Sequence, residues 1–342
     1  MIATKLLEWY ANNKRTMPWR GELDPYKVWI SEVVLQQTRV LQGTDYYLRF
    51  VHKFPTVFDL ANASEEEVLK LWQGLGYYTR ARNLHRGAKQ IVHDFGGIFP
   101  QSRAELKQIH GIGDYTSAAI ASIVYNEPVA AIDGNVKRIM ARVGAIDYIV
   151  DSKPFMVAIV ENLSLVFDYN RAGDSNQALM DLGSMVCTPK NAKCDECPIS
   201  GVCIAFMNRS VERYPVPKAS KPKRDRYFWY LVHIQNNSMA FYKRTGKDIW
   251  TGLFEFPLIE TKSESELEFL SDLEHRFPNK QFSIKRIDRL SKPHILSHQR
   301  IFASFVLIDN GFDGGFKEQY YKTEEMPPVH VLVQNYLDRL DN

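Results

Sequence analysis

Two carboxylates and four thiols are the residues of this 342-residue chain whose settings could support chemistry. Glu32 falls in PYKVWISEVVLQQ, a stretch with helical spacing that puts Val28, Leu35 and Gln36 on neighbouring face positions. A glutamate on a helix is ordinarily solvated. Among apolar neighbours its pKa rises, and it can then hand over a proton at neutral pH. Asp133 closes the apolar run Val129-Ala-Ala-Ile, just before a second helical stretch, where an aspartate ordinarily serves as an N-cap. All four cysteines lie in one run, Cys187, Cys194, Cys197 and Cys203, spaced C-x6-C-x2-C-x5-C. Four thiolates on a short loop can enclose one metal centre. Zinc is the ordinary occupant, yet zinc ribbons present two C-x2-C pairs and only Cys194 and Cys197 are so spaced.

A third feature is Gly111-Ile112-Gly113, between a stretch capped by Ser102 and Glu105 and a second, small-residue stretch, Tyr115–Tyr125. Two glycines around an apolar residue allow a tight hairpin whose N–H groups point outward at a helix start, a ready phosphate site. Alone, such a pair is more often a simple turn.

The elements that must position these residues are helical up to about residue 210. Apolar residues recur every three or four positions in Pro25–Phe50, Ser64–Leu71, Arg80–Phe95 and Ser102–His110, and Ser64 with Glu67 forms a further capping box. Tyr214 to Arg226 breaks the pattern with three prolines and five basic residues and reads as an extended basic linker over 214–226. Beyond it, Phe228–Ile234, Met239–Arg244 and Arg300–Ile308 read as strands, and Glu264–Phe277 and Val329–Leu340 as helices. The expected architecture is a mainly α region (1–213) followed by a smaller α+β domain (227–342).

Length and a 45% apolar composition suffice for two cores. The net charge of +3 permits nucleic acid as a partner without arguing for it. No stretch approaches a membrane span, and no signal-like segment opens the chain. A soluble protein of a reducing compartment is expected, which favours metal ligation over disulfides.

Taken together, the hairpin, Asp133 and the cysteine run resemble the helix-hairpin-helix DNA glycosylase superfamily, whose hairpin grips the DNA backbone at Gly111 and Gly113. The run is similar to the iron–sulfur loop (187–203) of its endonuclease III and adenine glycosylase branches, and so implies one four-iron, four-sulfur cluster. The bifunctional branch carries a lysine two residues after the second glycine. This chain has Tyr115 there, and a phenol cannot form an imine.

Pro18-Trp19-Arg20, Ser31-Glu32 through Gln36-Gln37-Thr38, Trp72 to Tyr78, Ile132-Asp133-Gly134-Asn135-Val136 and Leu182-Gly183 resemble blocks of adenine DNA glycosylases of the MutY type. That resemblance implies removal of adenine mispaired with 8-oxoguanine or guanine, by hydrolysis after base flipping. It gives Glu32 the role of acid on an imidazole-ring nitrogen of the base and Asp133 that of stabilising the oxocarbenium-like sugar. Tyr115 and Asn135 orient the carboxylates and water, Arg20 and Gln177 contact adenine, and Gln37 and Tyr77 wedge the gap in the duplex.

Arg80, Arg82, Arg86 and Lys89 form a charged helical run that reads as a solvated face or a phosphate contact. Lys190 and Lys193 are placed to present positive charge to DNA. The C-terminal half, with its Trp250–Pro257 block, resembles the Nudix-like domain of the same family but lacks the Nudix hydrolase box. Leu296-Ser297-His298 stands where the family reads 8-oxoguanine with Phe-Ser-His. The resemblance further implies a cytoplasmic, nucleoid-associated monomer of bacterial type that acts on double-stranded DNA, with clamp or mismatch-repair contacts left open. Two alternatives stay open: a glycosylase/lyase for oxidised pyrimidines, and a non-catalytic helix-hairpin-helix DNA-binding protein with zinc.

Overall fold

Local signals set where the helices begin and end. The computed structural model describes residues 2–219, 221–278, 282–309 and 319–340. The chain divides into two compact units, Met1–Asn62 with Asn83–Ala219, and Ala63–Arg82 with Ser220–Asn342.

The helices up to residue 210 are α1 (Ile2–Asn13), α2 (Pro25–Leu35), α3 (Val40–Lys53), α4 (Val57–Asn62), α5 (Glu65–Trp72), α6 (Thr79–Phe95), α7 (Arg103–Leu106), α8 (Asp114–Tyr125), α9 (Gly134–Val143), α10 (Lys153–Leu163), α11 (Ala172–Met185) and α12 (Ile204–Met207). The Asp24 carboxylate caps α2 at the Tyr26 N–H, with Pro25 preorganised in its first turn. Every residue of α2 from Val28 to Val34 is buried, so this helix is covered on all sides. That is why Glu32 is buried: every neighbour along this stretch of the helix is packed. The Pro25–Phe50 stretch is two helices, because Gln37 turns the chain with a left-handed φ of 56° between α2 and α3.

The Ser102–His110 stretch is likewise shorter than its periodicity suggests. Ser102 caps at the Glu105 N–H, and after Leu106 the chain tightens into i→i+3 bonds at Gln108 and Ile109. The core of this unit joins Leu6, Leu7 and Tyr10 of α1 to Ile139 and Met140 of α9, Phe155 of α10, Leu179 and Leu182 of α11, and Ile199 and Ala205 of the cysteine segment.

In the second unit the sheet runs β3-β2-β1-β7-β5. Its strands are β1 (Arg224–Gln235), β2 (Ser238–Lys243), β3 (Phe254–Glu255), β4 (Leu258–Thr261), β5 (Ile284–Arg289), β6 (His294–Ile295), β7 (Gln299–Ile308) and β8 (Gln319–Lys322). β1 and β7 pair in parallel from Arg224↔Gln299 to His233↔Ile308. Phe228, Tyr230 and Val232 of β1 face α14 (Val331–Leu340), and Trp229 and Leu231 face α13 (Glu266–Arg276), so helices cover both sheet faces. The Trp250–Pro257 block serves this core. Leu253, Phe254 and Phe256 are buried, and Trp250 stacks on His330 at 3.7 Å.

Two expected boundaries differ. The extended linker ends before Arg224 and Arg226, which lie in β1; Arg226 is buried in ion pairs with Asp248 and Glu260. Residues 63–82, read as part of the helical region, group with the C-terminal half. Lys70 donates to the Met326 carbonyl, Gln73 accepts from the Val329 N–H, and Arg82 donates to the Thr251 carbonyl.

Candidate active site

Seven of the residues singled out from sequence line one cleft of about 710 Å³ in the first unit: Arg20, Glu32, Gln37, Tyr115, Asp133, Asn135 and Gln177. They arrive from the loop before α2, from α2 itself, from the turn between α2 and α3, from α8, from the start of α9 and from α11. Arg15, Trp19 and Met180 complete the wall beside them.

Glu32 is 8% exposed, and burial pushes its carboxyl up to about 7, against a smaller lowering by the Tyr115 hydroxyl and the Arg20 charge. The Tyr115 hydroxyl donates to Glu32 Oε2 at 2.6 Å. Burial and the adjacent Glu32 raise the Tyr115 phenol well above its ordinary value, so it remains a neutral donor.

Asp133 combines the ordinary role and the functional one. As the N-cap of α9 its Oδ1 accepts from the Val136 N–H at 2.8 Å, and its Oδ2 accepts from Asn135 Nδ2 at 2.7 Å. Burial raises its pKa, and these hydrogen bonds oppose the rise by favouring the anion. Both oxygens are thus oriented at the positive end of a helix.

Asn135 is held in turn. Its Oδ1 accepts from Arg138 Nη2 at 2.8 Å, and Arg138 also donates to the carbonyls of Gly183 and Cys187. A Cβ at Gly183 would lie 2.5 Å from the Asn135 Cβ, so α11 approaches this close only because residue 183 is glycine.

The four cysteines are free thiols that together line one cavity with Arg142, Val186 and Phe206. Among the described residues, no three His, Cys, Asp or Glu side chains lie close enough to hold a single metal ion. Arg142, 1% exposed, donates to Cys187 Sγ at 3.3 Å and to the carbonyls of Thr188 and Pro189. Lys193 forms an exposed pair with Glu196.

At the hairpin, Gly111 has a φ of +81° and packs on Asn83, whereas a Cβ at Gly113 would meet nothing within 4 Å. Gly113 therefore faces open space at the start of α8.

The second unit holds Tyr77, Arg80, Arg82 and the 296–298 turn, whereas Arg86 and Lys89 are exposed on α6 in the first. Tyr77, about half exposed, has a left-handed φ of 48°, and the Arg80 guanidinium sits over its ring and that of Trp72. Arg80 also donates to the Gly76 carbonyl and Arg82 to that of Thr251, so neither belongs to a solvated face as their spacing suggested. Ser297 and His298 are exposed on the β6–β7 turn, with Ser297 Oγ 3.1 Å from His298 Nδ1. Leu296, beside them, is partly buried against the sheet core.

Sequence reading missed Arg15 and Asp181. Asp181 is fully buried and accepts from Arg15 Nη2 at 2.7 Å and from Arg20 Nη2 at 3.0 Å. The available signal was an aspartate inside the apolar run ALMDLG, where a charge needs a buried partner.

The HhH-GPD superfamily, described as base excision DNA repair proteins, matches residues 30–162. The adenine DNA glycosylase of Buchnera aphidicola subsp. Schizaphis graminum is 34% identical over 314 residues, 91% of this chain and 88% of that protein. The adenine DNA glycosylase of Rattus norvegicus is 44% identical over 325 residues, 79% of this chain and 63% of that protein. The solved structure of a thermostable thymine-DNA glycosylase aligns with a TM-score of 0.53 at 26% identity, over 60% of this chain and 95% of that one.

Proposed function

The chain belongs to the adenine DNA glycosylase family, and on that premise we propose that it is a monofunctional adenine DNA glycosylase of base excision repair. The observation that carries this reading is the pairing of Tyr115 with Glu32 in a cleft whose described lining contains Asp133 but no lysine. With no amine to attack the sugar, a Schiff-base lyase step has no nucleophile there.

Glu32, protonated over much of the neutral range, donates to a ring nitrogen of the extruded adenine, and the N-glycosidic bond breaks with its electron pair leaving on the base. Asp133 meets the positive charge that develops on the sugar. Water adds to the sugar carbon and gives its proton to the Glu32 carboxylate, which completes hydrolysis and restores the acid. Tyr115 and Asn135 hold the two carboxylates in place, and Arg20 and Gln177 form the base-facing wall.

The substrate is adenine opposite 8-oxoguanine or guanine in duplex DNA. Ser297 and His298 offer an exposed donor–acceptor pair for the opposite base, and the second unit supplies this recognition as a Nudix-like domain without hydrolase function. Gly111 and Gly113 receive backbone phosphate. Gln37 and Tyr77 are each held in left-handed backbone, and each is a residue that touches the opened duplex.

Cys187, Cys194, Cys197 and Cys203 are the residues that would hold a four-iron, four-sulfur cluster. The all-thiol donor set, gathered around one cavity beside the buried Arg142, supports it. When bound, it would supply a cross-link among the four thiolates of the 187–203 loop.

The test is a single-turnover assay of adenine release opposite 8-oxoguanine, guanine and thymine. Release that is fastest opposite 8-oxoguanine, without an efficient borohydride-trapped adduct, is expected. An efficient adduct would overturn the monofunctional assignment.

A further inference from the structure

Two guanidinium groups approach the cleft from the loop before α2, and one buried carboxylate gathers both. Asp181 on α11 has no exposed side-chain surface. It accepts from the Arg15 backbone N–H at 3.3 Å, from Arg15 Nε at 3.0 Å and Nη2 at 2.7 Å, and from Arg20 Nη2 at 3.0 and 3.1 Å. Arg20 Nη1 bonds Gln177 Oε1 and, at 3.1 Å, the Tyr10 hydroxyl, whereas Arg20 Nε is buried with no protein partner. Arg15 and Arg20 line the cleft; Asp181 is not among its lining residues.

Resting on the glycosylase reading above, we propose that Asp181 is a positioning residue for base excision. It binds Arg15 and Arg20 together, which fixes the donor edge of the base pocket and keeps both cations from pairing with Glu32 and Asp133.

The reason is one of competing counter-ions. The described carboxylates lining the cleft are Glu32 and Asp133. An Arg20 released from Asp181 has only these two to turn to inside the cleft. Either pairing would damage the reaction: a cation on Glu32 removes the acid's proton, and a cation on Asp133 neutralises the charge meant for the sugar. Glu32 is faced by Tyr115 from α8, by Asp133 at the start of α9 and by Arg20 from the loop before α2. Arg138 faces Asp133, and Tyr10 and Asp174 lie around Arg20 and Asp181.

An ion pair that merely stabilised the fold would lower the amount of active protein without changing where Glu32 titrates. The experiment is therefore a single-turnover pH profile of adenine release by the full-length, cluster-loaded protein, its Asp181→Asn and Asp181→Glu variants, and Arg15→Gln. Asp181→Asn is expected to cut the maximal rate by about tenfold or more and to move the alkaline limb to lower pH by about one unit. Asp181→Glu restores the position of the limb. Arg15→Gln keeps the carboxylate, leaves Asp181 to Arg20 alone and is expected to move the limb upward. An alkaline limb that stays in place in Asp181→Asn and Arg15→Gln, whatever their rates, overturns the proposal while leaving the glycosylase reading intact. Wild-type protein that releases no adenine overturns both.

Discussion

The Tyr115 hydroxyl and Glu32 Oε2 lie 2.6 Å apart in a pocket where burial has lifted the Glu32 carboxyl to about 7. The phenol donates, so it stabilises the ionised acid and moderates that rise. Tyr115→Phe removes the donor, and Glu32 then keeps its proton to higher pH. The alkaline limb of the single-turnover profile should move up by about one unit, with a loss of about tenfold at the optimum from poorer orientation. A limb that moves down would contradict the bond's assigned role.

Glu32→Gln should separate activity from stability. The folded pKa lies above the ordinary carboxylate value, so the folded state binds more protons over that interval. Stability is full below about 4.5 and falls as pH rises towards 7. Glutamine carries no charge and still accepts from Tyr115. At pH 8 the variant should be more stable than wild type by up to roughly 3 kcal/mol, with no gain near pH 4. Its excision rate should fall by about 10²-fold or more. Urea melts at the two pH values and a single-turnover assay check both halves.

Asp133→Asn keeps the helix cap, since asparagine caps as well as aspartate, but it loses the charge opposite the sugar. Excision should fall by about 10²- to 10³-fold with little change in melting temperature. DNA binding should be kept or strengthened, because a buried negative charge is removed. A variant that melts much earlier would mean that the carboxylate is chiefly structural.

How far this site could be read from sequence depended on the separation of the partners. Tyr115 and Gly113 are two residues apart, and Asp133 precedes its helix directly, so local spacing revealed both. The burial of Glu32 was readable from the apolar residues around it. The Arg15–Asp181 pairing spans 166 residues, and nothing local to either residue names the other. The grouping of 63–82 with the C-terminal half was hidden for the same reason. Lys70 and Gln73 look like ordinary helix-surface residues until Met326 and Val329 are placed beside them. Arg80 shows the converse error, since a charged run with helical spacing is usually solvated, yet this guanidinium covers Trp72 and Tyr77.

Gly183→Ala tests the tightest approach in the site. The added methyl lies 2.5 Å from the Asn135 Cβ and must push α9 and α11 apart. A stability cost of about 1–3 kcal/mol is expected, with a rate loss larger than that of a similarly destabilising core change elsewhere in the same unit. Rates compared at equal fractions folded provide the check.

The partition of the chain also bears on how such a protein can be inherited. α5 hydrogen-bonds to residues from the far end of the sequence, so the C-terminal half is not an appendage that a gene could gain or lose at 214–226 alone. A lineage that discarded it would strand Lys70, Gln73 and Arg82 and would need to rewrite 63–82 at the same time. Recombination between relatives should therefore preserve this stretch and the C-terminal half as a co-transmitted pair.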